Sequence, residues 1–115
     1  MAAEQIVRTV KGYLHKLEER GIPVAFGVLY GSYARDEAQI ESDVDLLVVS
    51  TRFDEPNSWN GTEILWETTV HTDSRIEPVG VGLKQWEDDD GIPLIDMARQ
   101  EGQIIRLEPV SPETS

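Results

Sequence analysis

Residues 31–35 read Gly31-Ser32-Tyr33-Ala34-Arg35, and residues 42–49 read Ser42-Asp43-Val44-Asp45-Leu46-Leu47-Val48-Val49. The apolar run Val24 to Tyr30 comes directly before them. This pattern reads as a buried strand, a tight turn and a second strand that opens on two acids. Side chains alternate faces along a strand, so Asp43 and Asp45 point the same way, about 7 Å apart. Two carboxylates on one face of a stiff strand are hard oxygen donors suited to a divalent cation. Gly31 allows a sharp turn and a close approach of the backbone to a ligand. Ser32 is a good helix-capping residue, and a helix starting there offers free N–H groups to phosphate. Arg35, one turn later, is placed to reach a terminal phosphate or to pair with Asp36 or Glu37. The expected site is a phosphate cradle facing a metal clamp.

Outward from this stretch, residues 3–20 have the spacing of an amphipathic helix. Ile6, Val10, Leu14 and Leu17 fall on one stripe beside Val7 and Tyr13. Gly21 and Pro23 end it. Residues 36–42 and 51–60 read as polar loops, and residues 61–71 as a helix. Arg75 to Leu83 reads as a third strand, in which Pro78 requires an edge position or a bulge. Residues 93–101 read as a last helix and residues 104–107 as an extended piece. Residues 109–115 read as a disordered tail. Alternating helices and strands make the fold class α/β (α+β), with a small mixed twisted β-sheet backed by helices.

A third carboxylate would complete a two-metal site, in which two ions about 3.5–4 Å apart hold the attacking and leaving oxygens of a phosphoryl displacement. Glu77, between Ile76 and Pro78, is the candidate. Arg75 shares its face by alternation and offers a salt bridge as the plainer explanation. Asp36, Glu37, Glu41, Asp73 and the run Asp88-Asp89-Asp90 lie in polar stretches where solvated acids are expected. His15 is expected to be exposed. Trp59, Trp66 and Trp86 are assigned to packing or partner contact.

With 22 acidic and 10 basic residues the chain carries a net charge of −12. That balance disfavours binding to nucleic acid or an anionic membrane, both of which rest on basic surfaces. It suits a basic protein partner, and admits a nucleotide whose phosphates are screened by metal. Its 115 residues leave room for one modest core. There is no cysteine, so disulfide and thiolate chemistry are excluded. No signal peptide is evident at Met1-Ala2-Ala3-Glu4-Gln5, and a cytoplasmic location is expected.

The two quoted stretches resemble the signature of the DNA polymerase β-like nucleotidyltransferase superfamily, in the spacing of its smallest branch, the minimal nucleotidyltransferases. The resemblance implies a single nucleotidyltransferase domain over residues 1–108 and Mg²⁺, as two ions, held by Asp43, Asp45 and Glu77. It implies ATP as substrate, over Gly31 and Ser32, and pyrophosphate as product. Glu77 stands where the superfamily more often has Asp. Members of this size resemble antitoxins that transfer AMP onto a tyrosine of a HEPN-domain toxin. The competing reading is a non-catalytic module that binds nucleotide or neutralises its partner by contact.

Overall fold

In the computed structural model, residues 4–31, 43–56, 59–88 and 91–107 are described. The elements in chain order are α1 (Glu4–Glu19), β1 (Phe26–Tyr30), β2 (Val44–Val49), a 3₁₀ turn (Thr51–Asp54), α2 (Trp59–His71), β3 (Ile76–Val81), α3 (Leu83–Glu87), α4 (Pro93–Glu101) and β4 (Gln103–Ile105). The four strands form one mixed sheet in the order β3-β2-β1-β4. β1 runs antiparallel to both β2 and β4, and β2 runs parallel to β3. The expected small mixed sheet backed by helices is therefore present.

Alternation along the strands divides the core in two. Val44, Leu46 and Val48 of β2 pack with Leu29, Ile76 and Ile105 under α1 and α2. The α1 stripe supplies Ile6, Val10, Tyr13, Leu14 and Leu17, all buried. The Tyr13 hydroxyl donates a 2.8 Å hydrogen bond to the Leu65 carbonyl, tying α1 to α2 and giving a buried polar atom its partner. Gly21, with φ +95°, takes the left-handed conformation that ends α1.

The other face carries Phe26, Val28, Tyr30, Leu47, Val49 and Val81, packed with Ile95 and Ala98 of α4. The Trp86 ring meets Phe26 edge-on at 5.6 Å. This cover is uneven. Val49 and Val81, at the C-terminal ends of their strands, are buried, whereas Asp43 and Glu77, at the N-terminal ends, are exposed. The exposed part of this face is at Asp43, Glu77 and Val79, on the β2–β3 side, while Tyr30, opposite Asp45, is buried.

Pro78 sits on β3, the edge strand, as a proline without an N–H requires. Three boundaries differ from the expectations above. The stretch 51–60 is not all loop: Ser50 accepts the Arg52 N–H to cap the 3₁₀ turn, and α2 begins at Trp59. The third strand ends at Val81, because Leu83 starts α3. That short helix is capped locally and from afar: its own Gln85 accepts the Gly82 N–H, and Asp54 accepts the Lys84 N–H at 3.1 Å. Among the described residues, extended pairing after α4 is confined to Gln103–Ile105. The expected tail over 109–115 lies outside the described residues, as do the helix expected from Ser32 and the whole loop over 36–42. No helix among the described residues is long and apolar enough to cross a membrane.

Phe53 wedges the 3₁₀ turn between β3 and α2, and only glycine leaves space for its ring. A Cβ at Gly80 would lie 2.7 Å from Phe53 Cε1, and one at Gly61 would lie 3.0 Å from the same atom. Gly80→Ala should therefore destabilise the chain by about 1–3 kcal/mol through overpacking. Urea denaturation checks this, and an unchanged midpoint would show that Phe53 yields freely.

Candidate functional site

The parallel register between β2 and β3 sets Asp45 directly opposite Glu77. The antiparallel register between β1 and β2 sets Tyr30 opposite Asp45 on the other side. Asp43, one residue ahead of β2, reaches the same place and shares a side-chain hydrogen bond with Glu77. That hydrogen bond is the largest cause of a Glu77 pKa raised above its ordinary value of 4.5, followed by desolvation and the negative charges of Asp43 and Asp45. Negative charge crowded around the Glu77 carboxyl is relieved by a proton on Glu77 or by a cation.

Gly31 closes β1 with φ +77°, in the left-handed region that favours glycine. A Cβ at this position would overlap Asp45 Oδ2. Glycine here thus serves both the turn and the seat of the Asp45 carboxylate. Ser32 and Arg35, the remaining parts of the expected cradle, lie outside the described residues, as do Asp36, Glu37 and Glu41.

Arg75 was the plain explanation for Glu77, yet its guanidinium closes on Asp73 at 2.7 Å. Asp73 Oδ1 also accepts the Arg75 backbone N–H at 2.9 Å. The Arg75 hydrogen bonds hold the Asp73 carboxyl below the usual carboxylate range despite partial burial. Asp73 is thereby accounted for as the clasp of the turn into β3. Asp88 is exposed, while Asp89 and Asp90 lie outside the described residues. His15 is exposed as expected.

Sequence reasoning treated Tyr30 only as the end of a strand. It is buried on the site face, and its hydroxyl pKa is pushed up by burial first and then by the charges of Asp45 and Glu77. Its even-numbered alternation with Phe26 and Val28 was the available signal.

The fit to a divalent cation is partial within these bounds. Among the described residues, no group of three or more His, Cys, Asp or Glu is gathered closely enough to hold a metal ion. The structure offers carboxylate neighbours on one open face in place of a closed three-acid cage. Mg²⁺ suits such a set, since it binds one or two carboxylates and completes its shell with waters and substrate phosphates.

A mixed sheet with acids at the N-terminal ends of two parallel strands, beside a glycine turn, has the form of a nucleotidyltransferase core. The sequence matches the nucleotidyltransferase domain family over residues 8–101, and the chain belongs to that family. No curated protein matches it. Among solved structures, one assigned as a nucleotidyltransferase from Sulfolobus solfataricus is similar at 12% identity and a TM-score of 0.62, covering 87% of this chain and 78% of that one. A toxin–antitoxin solved with AMP-PNP is similar at 19% identity and a TM-score of 0.59, covering 85% of this chain and 73% of that one. At these identities the likeness is one of fold.

The raised Glu77 pKa fixes the sign of a pH effect. Just above 4.5 the folded chain keeps a proton that the unfolded chain releases, so this group's contribution to stability is lost as pH rises through the folded pKa. Asp43→Asn removes a negative charge and the partner that favours the protonated form. The Glu77 carboxyl midpoint, followed by ¹³C NMR, should move down in that variant. An unmoved midpoint would separate the two side chains in solution.

Proposed function

We propose that this chain is a Mg²⁺-dependent nucleotidyltransferase that moves a nucleoside monophosphate, AMP from ATP, onto a hydroxyl of a partner protein. The acceptor in this reading is a tyrosine of a HEPN-domain toxin, and the chain acts as its antitoxin. The observation that carries the proposal is the parallel register that sets Asp45 opposite Glu77, with Asp43 close enough to raise the Glu77 pKa and both Asp43 and Glu77 exposed. Family membership supports the transfer chemistry. The AMP-PNP in the toxin–antitoxin of similar fold supports the choice of nucleotide and of biological setting.

Asp43, Asp45 and Glu77 are the residues that would hold Mg²⁺. When bound, Mg²⁺ neutralises phosphate charge and makes a nearby hydroxyl more acidic. Gly31 admits the phosphates close to the backbone, and Ser32 and Arg35 contribute a hydroxyl and a guanidinium to their oxygens. The acceptor oxygen forms a bond to the α-phosphorus as the bond from that phosphorus to the pyrophosphate oxygen breaks. Glu77 receives the acceptor's proton, as a carboxylate set opposite Asp45 at the open side of the site is placed to do. Positioning and fixed charge carry most of the rate.

Incubation with α-labelled ATP, Mg²⁺ and the product of the adjacent gene tests this reading. Label should appear on a partner tyrosine and fall at least about 100-fold for Asp43→Ala or Asp45→Ala, the scale of losing one electrostatic contact to the transition state. No label on any acceptor, or equal label from wild type and variants, would contradict it. A partner silenced equally well by Asp43→Ala would point to neutralisation by contact.

A further inference from the structure

Two tyrosines are buried among the described residues, and their hydroxyl groups are treated differently. That of Tyr13 is committed to the Leu65 carbonyl. That of Tyr30 makes no hydrogen bond to any described residue, although the side chain is only 7% exposed. The Tyr30 ring belongs to the apolar cluster of the second face, with Val28, Leu47 and Ala98. Among the described residues no fully buried side-chain oxygen or nitrogen lacks a partner. The unpartnered Tyr30 oxygen is therefore not fully buried: the ring is held in the core while the hydroxyl reaches its surface. A phenylalanine would fill the same core volume, so the core does not account for the hydroxyl.

The strand register places that hydroxyl. Tyr30 stands directly opposite Asp45, and Asp45 directly opposite Glu77. Side chains at opposed positions share a face, so one phenol and two carboxylates form a row across β1, β2 and β3. Burial first, and then the charges of Asp45 and Glu77, push the hydroxyl pKa up, so the oxygen lies within the field of both acids and keeps its proton. Gly31, the next residue, approaches Asp45 so closely that a Cβ there would overlap Oδ2. The end of β1 and the Asp45 carboxylate thus meet, with Tyr30 one residue away.

We propose that the Tyr30 hydroxyl donates a hydrogen bond to a phosphate oxygen of the nucleotide at this site. The inference rests on the reading of the acids as a nucleotide site. Ionised carboxylates only accept hydrogen bonds, so Asp45 and Glu77 meet phosphate through a cation. Tyr30 adds to the same row a neutral donor that meets phosphate directly. Because the core holds its ring, the donor is in place before the ligand arrives and loses little side-chain freedom on binding.

The test is Tyr30→Phe, which keeps the ring and removes the donor. Its urea midpoint, and its Mn²⁺ affinity without nucleotide, should match wild type. Its affinity for Mg²⁺ and AMP-PNP, measured by calorimetry, should fall at least about tenfold, the scale of one hydrogen bond to a charged group. In wild type carrying ¹³Cζ-tyrosine, saturation with Mg²⁺ and AMP-PNP should move the Tyr30 resonance, assigned by its loss in Tyr30→Phe. The Tyr13 resonance should stay in place, since its hydroxyl is already held by Leu65. Equal nucleotide affinity in wild type and variant, or an unmoved Tyr30 resonance, would overturn the proposal while leaving the nucleotide site intact. Loss of Mn²⁺ and nucleotide affinity in the same proportion would assign Tyr30 to the carboxylates and also overturn it. A wild type that binds no AMP-PNP with Mg²⁺ would instead strike the reading of the site, and this donor with it.

Discussion

The parallel pairing of β2 with β3 is the constraint on which the site depends. It sets Asp45 against Glu77 and brings Asp43 to the same carboxyl group. Because side chains alternate, a shift of one residue in this register would send Glu77 to the face under α1 and α2, among Val44 and Leu46, and turn Ile76 out of it. An ionised carboxylate there would be costly without a partner. The apolar positions that flank the acids therefore fix where the acids go. Val44, Leu46 and Val48 fill the core under α1 and α2, and Asp45 points the other way by necessity.

The rest of the fold serves that pairing. Parallel strands need a crossover, and α2 supplies it while burying Leu65 against the sheet. The Asp73–Arg75 clasp fixes the entry into β3, which also leaves Arg75 committed next to the site. Phe53 and the Asp54 cap tie the 3₁₀ turn to the far end of β3. The second face buries β1 as far as Tyr30 but leaves Asp43 and Glu77 exposed, so structural packing and accessible acids coexist on one sheet. Gly31 joins the two halves, since its missing Cβ is the space that Asp45 uses.

Much of this was legible in the chain. The α1 stripe, the two apolar strands and the helix over 93–101 follow from periodicity, because each buries one face against a single layer. Pro78 announced an edge strand, which β3 is. Asp43, Asp45 and Glu77 were singled out together because acids that interrupt or open apolar strands are costly and need a reason; the strand register sets Asp45 opposite Glu77, and among the described residues the three are not gathered into a closed metal group. Features held by distant partners were not legible. α3 is five residues long and takes a cap from Asp54, far away in sequence. The choice of Asp73 by Arg75 depends on a turn whose geometry alternation does not encode. Tyr30 acquires its place beside Asp45 only through the antiparallel register. Ser32 and Arg35 stand on the motif alone.

The proposal to test is that Asp43 and Asp45, with Glu77 opposite in the strand register, take up a cation together with nucleotide phosphates. The most direct measurement is a crystal structure of the chain with Mn²⁺ and a non-hydrolysable ATP analogue, with Mn²⁺ located by its anomalous signal. The account predicts Mn²⁺ within about 2.0–2.4 Å of carboxylate oxygens of Asp43 and Asp45, the range for hard cations on oxygen, and the Asp43–Glu77 hydrogen bond replaced by metal. Nucleotide bound elsewhere, or bound here with the two carboxyl groups still sharing a proton and no metal between them, would contradict it.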